Sequence, residues 1–170
     1  MKKHYNLTRT ALLFALCIVL SVAESLLIPL SAASAPGIKV GLSNVPVMFA
    51  LFCMGFPTAL GLSVAKGVFA LASRGVSAGL LSLTGGVLST LIMYILKRVF
   101  KKKISLTLIS VFGAIVHNAG QLLAASLLWR TLAVWSISPI LIISGIVFGT
   151  VNALLVKLTL PYLSRLGEKK

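Results

Sequence analysis

Apolar stretches long enough, or nearly long enough, to cross a membrane follow one another along this chain with few interruptions, at residues 10–30, 40–55, 57–72, 76–96, 104–129 and 137–160. A helical span needs about 20 apolar residues to cross a hydrocarbon core of about 30 Å. These six segments use up most of the 170 residues, so no separate soluble catalytic domain fits beside them. Of all residues 58% are hydrophobic and 11% charged, with a mean hydropathy of +1.07. That leaves too little polar surface to cover a soluble globule. The expected fold is an all-α integral membrane protein, one compact bundle of about six transmembrane helices forming a single domain over residues 1–170. The run at 11–30 is longer than the apolar region of a signal peptide and more spans follow it, so it reads as a first helix.

Segments two and three are short and separated only by Gly55-Phe56-Pro57, where Gly can end one helix and Pro can open the next. They form either a tight helical hairpin or a partly re-entrant pair. The formal charge is +14, from 16 Lys and Arg against Glu24 and Glu168. Lys2, Lys3 and Arg9 precede the first segment, Lys97, Arg98, Lys101, Lys102 and Lys103 link the fourth and fifth, and Lys157, Arg165, Lys169 and Lys170 close the sixth. With six crossings these clusters share one side, which the positive-inside rule assigns to the cytoplasm together with both termini. The charge is therefore a matter of orientation and calls for no nucleic-acid partner, since no soluble basic groove exists to hold one. Cys17 and Cys53 lie within apolar runs and read as core residues, without metal-ligand spacing.

Small residues recur four apart at Ala11 and Ala15, Gly61 and Ala65, Gly75 and Gly79, Gly120 and Ala124, and Gly145 and Gly149, a spacing that lets helix backbones approach closely. Against this background the few intramembrane polar groups stand out, because each ionisable one costs a few kcal/mol to insert. Glu24 lies in the outer half of the first helix and Lys66 near the middle of the third. A buried Glu24–Lys66 pair that fixes packing is one reading and a ligand role is another, and the two are compatible.

The most distinctive stretch is 35–44, Ala-Pro-Gly-Ile-Lys-Val-Gly-Leu-Ser-Asn. Pro36 and Gly37 make a turn, Gly41 permits close backbone approach, and Lys39 with Asn44 places a cation and an amide at the mouth of the second helix. A helix N-terminus beside a lysine is an anion or carbonyl binder. On the fifth helix His117, Asn118 and Gln121 project within an arc of about 100°. Ala114 and Ala125 share that arc, which suits either a cavity lining or interhelical hydrogen bonds. Lys66, Ser63 and Ser73 share a face of the third helix, with Arg74 at its outer end, and Asn152 adds an amide from the sixth segment.

With two carboxylates in the whole chain there is no paired-carboxylate site, no aspartate-rich magnesium motif, no Walker loop and no triad around His117. The sequence calls for no catalytic residues, metal or cofactor. A chain of this kind that moves a solute draws its energy from a partner or a gradient.

The 36–44 loop taken together with His117-Asn118-Ala119-Gly120-Gln121-Leu122 resembles the bacterial Gx transporter family, also labelled heptaprenyl diphosphate synthase component I. The resemblance covers nearly the whole chain. That family is similar to the substrate-binding S components of energy-coupling factor transporters, six-helix membrane proteins of this size. The resemblance implies a pocket capped by Lys39 to Asn44, with Gly41 in the cap. Lys66, Arg74, His117, Asn118 and Gln121 would contribute from the helices; Glu24 joins them as an intramembrane charge, and the excess of Lys39, Lys66 and Arg74 over Glu24 favours a small polar or anionic metabolite. The resemblance further implies that Ala11 and Ala15 dock an energy-coupling transmembrane subunit, itself driven by ATPases, in a bacterial cytoplasmic membrane whose lipid covers the rest. The alternative is a non-catalytic accessory subunit of a polyprenyl diphosphate synthase.

Overall fold

A computed structural model of the chain describes residues 2–27 and 41–168, and helices account for nearly all of them. In order these are α1 (Lys2–Leu27), a 3-10 turn (Leu42–Asn44) leading directly into α2 (Val45–Cys53), α3 (Phe56–Arg74), α4 (Val76–Phe100), α5 (Leu106–Trp129) and α6 (Ser138–Glu168). Among the described residues five helices are long and apolar enough to cross a membrane, as in a multi-pass membrane protein. The sixth is shorter than the apolar segment read at 40–55. The α2 helix has nine residues, about 13 Å of rise at 1.5 Å per residue, and cannot cross by itself. The third segment, by contrast, is a full-length helix of 19 residues.

The breaks between helices have local causes. Gly55 takes φ +102°, a conformation that favours glycine, and Pro57 follows at the start of α3. The single residue Gly75 joins α3 to α4. Ser105 caps α5 by accepting from the Leu108 N–H at 3.2 Å. The outer helix ends run beyond the apolar segments: α1 begins at Lys2 and α6 continues through Pro161. Hydropathy marks where a helix meets hydrocarbon, and the backbone ladder continues past it.

The elements pack as a consecutive antiparallel series α3–α4–α5–α6, closed by α1 and α2. Glycines set the close approaches. Gly67 meets Leu83 and Gly79 meets Leu71 between α3 and α4; Gly85 meets Gly120 between α4 and α5; Gly145 and Gly149 lie on Ile115 and Val111 between α6 and α5. Helix α1 runs in the same direction as α3, with Thr10 and Phe14 beside Thr58 and Ala65 and Ser21 bonded to Arg74. Short α2 sits at the centre of the core, every residue from Val45 to Leu51 buried among Leu13, Cys17, Leu62, Met93, Ile109 and Val156. Cys17 is fully buried, whereas Cys53, expected in the core, is exposed where α2 ends.

Large apolar side chains such as Leu12, Val19, Ile143 and Leu158 face outward, while Ser63, Lys66, His117, Gln121 and Asn152 are buried. This inside-polar arrangement is what a lipid solvent favours. One end of the bundle carries Arg9, Lys97, Arg98, Lys101, Lys103 and Lys157; the other carries Arg74 and Arg130, with Trp129 and Trp135 nearby.

Candidate functional site

The polar interior is organised around the turn at residues 41–44. Gly41 has φ +73°, left-handed, and a Cβ there would come within 3.2 Å of the Asn44 amide, so this corner takes glycine for both reasons. Its carbonyl accepts from the Asn44 N–H at 2.9 Å, closing the turn. Three helices then grip it. Glu24 of α1 accepts a hydrogen bond from the Gly41 N–H. Lys66 of α3 donates to Asn44 Oδ1 at 2.5 Å and to Ser43 Oγ at 3.4 Å. Asn152 of α6 donates through Nδ2 to the Gly41 carbonyl at 3.2 Å.

Glu24 and Lys66 are only 4% and 3% exposed, so both charges act inside the bundle rather than at its surface. Bonds to charged groups are roughly twice as strong as neutral ones, and the low dielectric strengthens them. The sequence expectation of a Glu24–Lys66 relationship takes a specific form here: the carboxylate and the ammonium hold opposite ends of one turn. The turn lies at mid-bundle depth, because Lys66 is near the middle of α3 and α2 runs from Asn44 to the basic end. There Lys97 Nζ donates to the Leu51 carbonyl at 2.8 Å and lies 4.8 Å from the Phe52 ring centroid.

The remaining expected site residues are distributed over three helix contacts. His117 and Gln121 lie against Gly85 of α4, the His117 carbonyl and imidazole and the Gln121 side chain filling the space a Cβ would take. Asn118 turns to α6, donating to the Leu141 carbonyl at 2.8 Å and to Ser144 Oγ at 3.4 Å. Arg74 is exposed at the C-terminal end of α3 and donates to Ser21 Oγ of α1 at 3.2 Å. Ser73, on the same helix end, is exposed and bonds its own backbone at Phe69. Lys39 lies outside the described residues. Among the described residues, Ser63 Oγ, Gln121 Oε1 and Asn152 Oδ1 are buried without a hydrogen-bond partner.

Ala11 and Ala15 are exposed on α1. Ala11 lines an open groove of about 530 Å³ between α1 and α3, with Phe14, Pro57, Thr58, Gly61 and Ala65 around it. The expected Gly61 and Ala65 pair thus faces this groove. The sequence places Ser63 on the Lys66 face and adds Asn152, but it singles out neither Ser89 nor Ser110, two buried hydroxyls that line an interior cavity with Asn44 and Asn152. Serines at helix-interior positions beside Gly86 and Gly113 were the available signal.

No curated protein and no solved structure matches the chain. A family model described as heptaprenyl diphosphate synthase component I matches residues 13–159, a stretch that takes in the 41–44 turn and every site residue above except Ala11. On that match the chain belongs to the heptaprenyl diphosphate synthase component I family.

Proposed function

We propose that this protein is the membrane-embedded, solute-binding subunit of a transporter for a small polar or anionic metabolite, energised by a separate ATPase and coupling module. The observation that carries the reading is the half-buried turn at residues 41–44, held by the buried Glu24 carboxylate and the buried Lys66 ammonium within a bundle whose outer face is apolar. Two buried ionisable groups cost several kcal/mol together in such a place, which selection retains where they serve a ligand or a moving part. The buried acceptors Ser63 Oγ and Gln121 Oε1 support the same reading, as groups to which a hydroxyl- or amide-bearing solute can donate. Lys66, with Lys39 and Arg74 toward the outer end, favours a solute carrying negative charge. In this proposal Gly41, Asn44, His117, Asn118 and Gln121 complete the site. The basic end faces the cytoplasm of a bacterial cell, and the coupling subunit docks along Ala11 and Ala15 beside the α1–α3 groove.

Gentle purification followed by mass spectrometry of released small molecules tests this directly. A stoichiometric polar metabolite that is lost in Lys66→Met supports the reading. A protein that releases none, is not thermally stabilised by anionic metabolites, and copurifies with no ATPase refutes it.

The family description favours a second reading, in which the chain is a non-catalytic accessory subunit of a polyprenyl diphosphate synthase. The word component implies a partner, and the chain lacks the aspartates that would hold magnesium for the chemistry itself. Adding the purified chain to an aspartate-rich synthase subunit and finding no change in product formation removes this alternative.

A further inference from the structure

Helices α1 and α3 meet at the end of the bundle away from the basic cluster, where Arg74 donates to Ser21 Oγ. Toward the basic end they part, leaving the open groove of about 530 Å³ between them. On α3 the groove runs from Pro57 to Ala65, a rise of about 12 Å at 1.5 Å per residue. One leaflet supplies about 15 Å of a hydrocarbon core of about 30 Å, so the groove stays within the leaflet on the basic side. Its wall changes character along that length. The Thr10 and Thr58 side chains lie toward the basic end, whereas Phe14, Gly61 and Ala65 line the deeper part. Gly61 is exposed, and a Cβ there would meet nothing within 4 Å, so the floor is open space.

Two cations stand at the mouth. Arg9 precedes Thr10 on α1, and Lys97 bonds the Leu51 carbonyl beside the corner from which α3 begins. Both act electrostatically on the Cys53 thiol at the end of α2, which places them around that corner. Glu24 is the one carboxylate on α1 to α4, and it is held at the Gly41 N–H, remote from the mouth. Length, polarity and charge together select the occupant. Water would have to enter as on the order of fifteen molecules at about 30 Å³ each, against a wall whose deeper part is apolar. A transmembrane partner helix needs a contact that continues across the bilayer, and α1 and α3 have closed on each other by Ser21 and Arg74. A lipid chain from one leaflet has the length of the groove, and an anionic headgroup meets the cations where the chain emerges. We infer that the α1–α3 groove binds one anionic phospholipid from the leaflet on the basic side, with an acyl chain against Phe14, Gly61 and Ala65 and the phosphate paired with Arg9. The inference stands without the transport reading.

Native mass spectrometry of the full-length protein in detergent, titrated with dioleoyl-phosphatidylglycerol or with dioleoyl-phosphatidylcholine, tests it. The expected result is a first phosphatidylglycerol adduct that forms at lower lipid concentration than the phosphatidylcholine adduct. Gly61→Leu fills the floor of the groove at a position with room for a side chain, and is expected to abolish that adduct. Arg9→Gln should weaken phosphatidylglycerol binding about fivefold, the effect of one cation at an anionic membrane surface, and leave phosphatidylcholine binding unchanged. Equal affinity of the wild type for the two lipids overturns the proposal. So does wild-type phosphatidylglycerol affinity in either variant when its melting temperature is unchanged, because the lipid then binds elsewhere. A Gly61→Leu protein that keeps the lipid but loses a copurifying subunit assigns the groove to that subunit, and also overturns it. The two variants lie on different helices, so failure of one to fold leaves the other to decide.

Discussion

Gly85 on α4 and Gly120 on α5 meet with no side chain between them: a Cβ on Gly120 would lie 2.9 Å from Gly85 Cα and 3.1 Å from its nitrogen. Thr84 Oγ1 bridges the same crossing to the Gly120 carbonyl at 3.1 Å. In lipid, where apolar attraction between helices is weak, close backbone contact of this kind is a main source of association. His117 and Gln121 pack beside the crossing, so the geometry of these polar groups depends on the two glycines.

Adding a methyl group at this crossing is expected to destabilise the bundle. Gly120→Ala and Gly85→Ala each force backbone or side-chain displacement and should lose about 1–3 kcal/mol. Gly61→Ala is the matched control, since a Cβ there meets nothing within 4 Å; its better helix propensity should leave stability unchanged or raise it by up to about 1 kcal/mol. Thermal unfolding in detergent reads all three, and equal melting temperatures would contradict the assignment.

Glu24→Gln and Lys66→Met each remove a charge-assisted bond to the turn and should lower stability by about 1.5–3 kcal/mol. Because the two groups hold one turn, the double variant should lose less than the sum of the single losses. Additive losses in a double-mutant cycle would mean that the two residues act on separate structures.

Asn118→Leu removes the donor to the Leu141 carbonyl, and a loss of about 0.6 kcal/mol, the membrane average for such bonds, is expected. If solute binding is intact in that variant while Gln121→Leu abolishes it, Asn118 serves the α5–α6 contact and Gln121 the ligand. Isothermal titration of both variants with the released metabolite separates the two roles.

Lys97→Met is expected to fray the end of α2, because the ammonium satisfies the Leu51 carbonyl in the last helical turn and favours the negative end of the helix dipole. The loss should be about 0.3–1 kcal/mol. Arg98→Met, whose guanidinium bonds only the Tyr94 hydroxyl at the exposed surface among the described contacts, should have no measurable effect. Faster hydrogen exchange at the end of α2 in the first variant alone is the diagnostic outcome.

Much of this architecture is legible in the residues. The apolar runs and the Gly55-Phe56-Pro57 corner lie within a few positions of the bounds of α3 to α5, because hydropathy and backbone chemistry are local. Gly75, by contrast, reads as a packing residue, and the structure makes it the joint between α3 and α4. The length of α2 is less legible: the apolar run at 40–55 continues through residues that the structure places in the 3-10 turn, and only Gly41 marks the change of conformation. Partner choice is less legible still. The helical arc containing His117, Asn118 and Gln121 is about 100° wide, yet it faces the valley between two neighbours, so His117 and Gln121 go to α4 and Asn118 to α6. A helical wheel gives a direction; which helix lies in that direction is set by the glycine contacts of the whole bundle.

The shortness of α2 bears on how the chain enters a membrane. Nine residues do not make a stretch that inserts across hydrocarbon on its own, while α3 behind it does. Joined by so tight a corner at Gly55, the two are bound to enter as a unit, with α3 carrying α2 in. Until Glu24, Lys66 and Asn152 are all in place, the amide and carbonyl groups at the start of α2 lack the partners that the finished protein gives them. Assembly of this interior therefore waits for α6, which leaves the ribosome after the other helices that hold the turn.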